Sequence, residues 1–136
     1  MPIHQRVTVA PDVAPGNGYA HAVTASGRFA FVSGQVSVDT RGNPVGVGDL
    51  AAQTRQALTN LRIVLGALGA DWTDVVRFTW YLTDVSRIQV IRDVRDEMIR
   101  GPLGDLPNPA SSLVQVAALV RPEFLVEVEA VAVLAE

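Results

Sequence analysis

Glu127 and Glu129 stand two residues apart in the apolar run Val126-Glu127-Val128-Glu129-Ala130-Val131-Ala132-Val133. Such valine-rich sequence favours an extended strand, along which side chains alternate between faces. Val126, Val128, Ala130 and Ala132 therefore point one way, and Glu127, Glu129, Val131 and Val133 the other. A carboxylate among apolar neighbours loses hydration and a second carboxylate close by disfavours its charge further, so both effects raise its pKa. A group tuned in this way can transfer protons near neutral pH. The same pattern also fits an edge strand with one wet face, on which both glutamates are simply solvated.

The rest of the composition narrows the chemistry by elimination. The chain has no cysteine, and His4 and His21 are its only imidazoles, so thiolate nucleophiles and thiolate metal sites are excluded. All 11 basic residues are arginine, which rules out a lysine Schiff base with a carbonyl substrate or pyridoxal phosphate. A net charge of -3 argues against a general nucleic-acid surface, which carries a basic excess, though a local basic patch stays open. With 136 residues, 49% of them hydrophobic, the sequence suits one domain spanning 1–136 with a real core. No apolar run approaches the roughly 20 residues a membrane helix needs, and no charged-then-apolar leader is visible. A cytoplasmic protein with no membrane association is expected.

Several elements must position the glutamates. Residues 1–9 contain an alternating run that suits a first strand, and Pro11 to Gly18 is a loop that delivers Tyr19-Ala20-His21-Ala22-Val23. Arg28 to Val32 reads as a strand ending in Ser33-Gly34-Gln35. The glycine-rich stretch from Thr40 to Gly48 leads into a helix over 50–68, with Asp49 as N-cap and Gly69 just past the end. Val75 to Leu82 is the clearest strand, with Val76, Phe78, Trp80 and Leu82 on one face and Arg77, Thr79 and Tyr81 on the other. Asp84 or Ser86 starts a second helix, whose apolar positions include Ile88, Ile91, Val94 (or the Arg95 stem) and Met98, and Gly101-Pro102 stops it. Its charged residues, Arg92 and Arg95 among them, read as a solvated face with pairs one turn apart. Leu113 to Val120 and the run from Phe124 then form two strands joined by a turn at Arg121-Pro122-Glu123. Strands grouped around two helices predict an α+β layer with both helices on one sheet face. Phe29 to Val32 and Leu113 to Val120 are apolar on both parities, so another copy of the chain is the expected cover for the second face.

Read together and in order, Gly18-Tyr19, Ala22-Val23, Ser33-Gly34-Gln35, Gln53 to Asn60-Leu61, Gly69-Ala70, Asp74-Val75-Val76, Pro109-Ala110-(x)-Ser112 and Val126 to Ala132 resemble the RidA (YjgF-type) reactive-intermediate deaminase family. The resemblance spans nearly the whole chain. It implies the chorismate-mutase-like α+β fold, with a mixed sheet of about six strands and two helices on one face, and a homotrimer with small-molecule sites between subunits. It also implies hydrolysis of enamine or imine acids to a 2-keto acid and ammonia without a cofactor. In that family the first glutamate of the Glu-x-Glu strand positions the attacking water, which assigns that role to Glu127. An arginine in a Pro-Ala-Arg-Ser motif grips the substrate carboxylate, and here its position is occupied by Ser111. Serine cannot replace a bidentate guanidinium. Where the family often has an asparagine in the second helix, this chain has Arg92, expected to supply the anion grip from a neighbouring subunit.

The resemblance assigns the remaining positions by match. Tyr19 lines the cleft or packs at a loop end; Ser33 and Gln35 present donors after a strand or merely flank the turn at Gly34; Ser112 completes the Pro-Ala-x-Ser motif. Glu129 anchors a hydrogen-bond network beneath Glu127. A lone His21 is more often packed or solvated than a base, and Arg121 belongs to an exposed turn. A divergent enamine or imine deaminase is therefore expected. The alternative is a trimer that binds a small metabolite without chemistry, while the acidic composition speaks against the endoribonuclease activity attached by name to some relatives.

Overall fold

The computed structural model describes residues 2–135. Its centre is the strand the sequence marks most clearly, Val75–Leu82 (here β4), lying between the final strand Val126–Leu134 (β6) and Ala110–Gln115 (β5). Arg28–Gln35 (β3) pairs with the far side of β6, so the four-stranded sheet runs β3-β6-β4-β5. β6 is antiparallel to both neighbours, whereas β5 runs parallel to β4, making the sheet mixed. Parallel neighbours need a crossover, and the helix Ile88–Leu103 (α2) provides it.

Two short strands, Ile3–Val7 (β1) and Ala22–Ala25 (β2), form an antiparallel ribbon that completes the six. The ribbon is tied to the body at two points. The Ala20 amide donates to the Pro109 carbonyl at 3.1 Å, beside β5, and the Arg6 guanidinium donates to the carbonyls of Thr73 and Pro107 at 2.9 and 3.2 Å. The first strand is shorter than the 1–9 run suggests, and Met1 lies outside the described residues.

Both helices pack on one face of the sheet, as the patterning predicts. The helix Leu50–Ala67 (α1) starts where the Asp49 carboxylate accepts from the Ala52 amide at 3.0 Å, and the chain leaves it through Gly69 at φ 74°. It buries Leu58, Leu61 and Leu65 against Phe78, Trp80, Val126, Val128 and Ala132. α2 adds Ile91, Val94, Ile99 and Leu103 to the same core. Burying a side chain of that size contributes roughly 1.5–3 kcal/mol, so this layer supplies most of the driving force for folding. Among the described residues no helix is long and apolar enough to cross a membrane.

Two expectations fail. The helix does not stop at Gly101-Pro102 but runs to Leu103 and ends at Gly104, with φ 59°. Proline removes only one amide donor there, and Arg100 secures the exit by donating to the Gly104 and Leu106 carbonyls and to Asn108. Nor are β5 and β6 a hairpin. β4 lies between them, β5 ends at Gln115 rather than Val120, and the residues up to Leu125 cross over as irregular chain. That crossing is held by Gln53, a fully buried side chain that donates to the carbonyls of Gly46 and Glu123 and accepts from the Leu125 amide.

Candidate functional site

The cross-strand register decides which candidate residues meet. Tyr81 stands opposite Glu127 and Thr79 opposite Glu129, all on the sheet face turned away from the helices. Strand β3 bulges between Val32 and Gln35, and this brings Gly34 under the Glu127 carboxylate, so closely that a Cβ at position 34 would overlap it. A side chain at position 34 would push the Glu127 carboxylate from where it sits. The two glutamates are not equivalent. The Tyr81 hydroxyl donates to Glu129, fixing it, whereas the Glu127 side chain has no hydrogen-bond partner among the described residues. Burial first, and the charge of Glu129 second, raise the Glu127 pKa above the usual carboxylate value. The hydrogen bond to Glu129 in turn raises that of the Tyr81 phenol. This face therefore holds a partly buried carboxylate with raised proton affinity and an anchored neighbour beneath it, the arrangement a general base needs.

Ser33 and Gln35 lie at the same end of β3. Ser33 is exposed, and the Gln35 amide turns back to donate to the Ser33 carbonyl at 3.1 Å. Ser112 also belongs to this face, pairing with Thr79 and accepting from Arg77 at 2.9 Å.

Ser111 does not. Pairing with Phe78 turns it to the opposite face, where it lines a small cavity of about 80 Å³ together with Tyr19, Trp80, Ile91, Arg92 and Arg95. The two serines of the motif thus serve two different places. Arg92 and Ser111 line this cavity together within one chain. Glu127 and the cavity lie on opposite faces of one sheet.

Sequence reasoning missed two residues. Tyr81 escaped because strand register, which sets it beside the glutamates, is not visible in a single run. Arg95 reads from sequence as part of a solvated charged face, with its stem an alternative to Val94 on the apolar side, yet its whole side chain is only 10% exposed. Its signal was available: it sits one helical turn from both Ile91 and Ile99, on the apolar stripe of α2. His21 packs edge-on against the Tyr19 ring at 5.9 Å between centroids, and its buried Nε2 has no partner among the described residues. Arg121 lies over the Phe124 ring and donates to the Gly42 carbonyl, away from both groups. Among the described residues no cluster of His, Asp or Glu is placed to hold a metal ion.

Fold and sequence agree on ancestry. Residues 9–134 match the family described as Endoribonuclease L-PSP. A RutC family protein from Pyrococcus horikoshii is 34% identical over 118 residues, covering 87% of this chain and 88% of that protein. A Bos taurus protein named 2-iminobutanoate/2-iminopropanoate deaminase is 35% identical over 115 residues, covering 85% and 79%. The crystal structure of YyfB from Yersinia pestis, a Rid-family protein of unknown function, superposes with a TM-score of 0.84 at 37% identity, covering 98% of this chain and 100% of that one. The chain belongs to the Endoribonuclease L-PSP family, which is the RidA (YjgF) family. Ser111 stands where the sequence resemblance expects an arginine.

Proposed function

We propose that the protein is an enamine or imine deaminase, hydrolysing a reactive C=N or enamine metabolite to a carbonyl compound and ammonia. The observation that carries this reading is the Glu127 carboxylate, partly buried over Gly34, without a side-chain partner among the described residues and raised in proton affinity by burial and by Glu129. An enamine first tautomerises to the imine. Glu127 accepts a proton from water as the oxygen attacks the carbon of the protonated imine, giving a carbinolamine. Glu127 passes that proton to nitrogen, the C–N bond breaks, and ammonia leaves as the hydroxyl returns its own proton to Glu127 and the carbonyl forms. Relatives named 2-iminobutanoate/2-iminopropanoate deaminase, at 35% identity, support this class of reaction.

A complete site draws on two copies, because Glu127 and the cavity with Tyr19, Arg92 and Ser111 face opposite ways in one chain. A homotrimer, as the family resemblance implies, would bring the sheet face of one copy to the cavity edge of the next, with Ser33, Gln35 and Ser112 bordering the cleft.

The test is release of ketoacid and ammonia from enzymatically generated 2-aminoacrylate. Turnover by wild type that disappears in Glu127→Ala supports the proposal; equal turnover by both proteins overturns it. The second reading, a trimer that binds a metabolite without chemistry, is favoured by one observation, Ser111 at the motif arginine position. It predicts ligand binding with no turnover until Ser111→Arg is introduced.

A further inference from the structure

We infer that the cavity between α2 and β5 is an anion site built on Arg92 and Arg95, that its ligand is a small monoanion of the carboxylate class, and that it holds this ligand without help from Glu127. Identifying that anion with the substrate's own carboxylate rests on the proposed hydrolysis; the anion site does not.

The hydrogen-bond inventory points this way. A guanidinium carries five N–H donors and is charged at all physiological pH. Arg95 is nine-tenths buried and donates through Nε to Asp96 at 3.0 Å; among the described residues no other hydrogen bond of its side chain is made, and none by Arg92. A buried cation with unspent donors is costly unless something pairs with it. Both arginines line the cavity, beside Ser111 and Tyr19.

The loop supports the same conclusion. Gly18 adopts φ +76°, and a Cβ there would overlap the Arg95 guanidinium where it sits, so the Gly18-Tyr19 segment lies directly against this head group. Charge then selects the ligand. Two guanidiniums against Asp96, itself 49% exposed, leave one positive charge at the cavity, while Asp93 is turned to Gln89. One surplus charge with planar donors matches a single carboxylate better than a dianion. The anion grip that the motif loses at Ser111 is thus supplied from α2.

Isothermal titration of the full-length protein with pyruvate, with its neutral amide and inorganic phosphate as comparisons, tests this. Wild type is expected to bind pyruvate and to ignore the amide, and Glu127→Gln to bind pyruvate at least as tightly. Arg92→Ala and Arg95→Met should each bind about tenfold to a hundredfold more weakly, the loss of one or two charge-assisted hydrogen bonds. Arg95→Met keeps the buried stem, and Arg95→Lys, which restores charge, should recover part of the affinity, as a purely structural role would not require. If Arg95→Met fails to fold, Arg92→Ala decides the matter alone. Wild-type affinity in Arg92→Ala, loss of binding in Glu127→Gln, tighter binding of phosphate than of pyruvate, or no binding of pyruvate overturns the inference. Pyruvate binding without turnover of 2-aminoacrylate would leave the anion site standing and remove the hydrolysis.

Discussion

At the scale of the residue, Glu127 carries a cost that its position imposes. Its proton affinity is higher in the folded chain than in the unfolded one, because burial and Glu129 disfavour the charged form. The folded state therefore binds more protons than the unfolded state across the window between the ordinary value of 4.5 and the raised one. Stability falls as pH rises through that window, and the penalty is fully present above it. Glu127→Gln removes the charge and keeps the shape. We expect this variant to have a higher urea midpoint than wild type at neutral pH, with the gap closing as pH falls below 4.5. A gap of the opposite sign, or one independent of pH, would show that the carboxylate is not disfavoured where it sits. Tyr81 has the complementary part, since its hydroxyl holds Glu129 in place and leaves Glu127 as the freer group.

At the scale of the element, β6 owes its place to a helix it does not follow in sequence. Gln53 on α1 satisfies the Glu123 carbonyl and the Leu125 amide just before β6 begins, entirely out of water. Gln53→Ala leaves both groups buried and unpaired, at about 1–3 kcal/mol each, so thermal unfolding should shift down by several degrees. An unchanged melting temperature would mean water or a shifted side chain fills in. The helices, β4 and the alternation of β6 were legible in the sequence because each is a local pattern: Asp49 caps, Gly69 ends, and Val126 to Ala132 alternates. The neighbours of each strand were not, because pairing is decided by the crossover of α2 and not by runs of valine. That is why Leu113 to Val120 looked like a partner for β6 and is in part an irregular crossing, with Val120 exposed. The candidate site divides likewise. Glu127 was visible as a charge in an apolar strand, whereas the roles of Ser111, Arg92 and Arg95 depend on the cavity that the register creates.

At the scale of the molecule, the sheet face opposite the helices exposes Phe29, Val114 and, at 80%, Phe31, around the partly buried glutamates. Exposed aromatic rings on a sheet that also carries a perturbed carboxylate suit an interface between copies. Sedimentation should give three copies for wild type and a single chain for Phe31→Glu, which places a charge in that interface; a wild-type monomer would remove the shared cleft from the proposal. Mixing Glu127→Gln with Arg92→Ala under conditions that exchange subunits should recover part of the turnover lost in each alone, since some clefts then hold both intact groups. The proposal as a whole stands on Glu127 acting as a base toward water, and the profile of kcat/KM against pH for 2-aminoacrylate hydrolysis addresses it most directly. The account predicts a rate that rises with pH through a midpoint above 4.5, the ordinary carboxylate value, and that falls by about 10²–10⁴-fold in Glu127→Gln with that limb gone. A Glu127→Gln enzyme that keeps the wild-type rate and the same acid limb would contradict it.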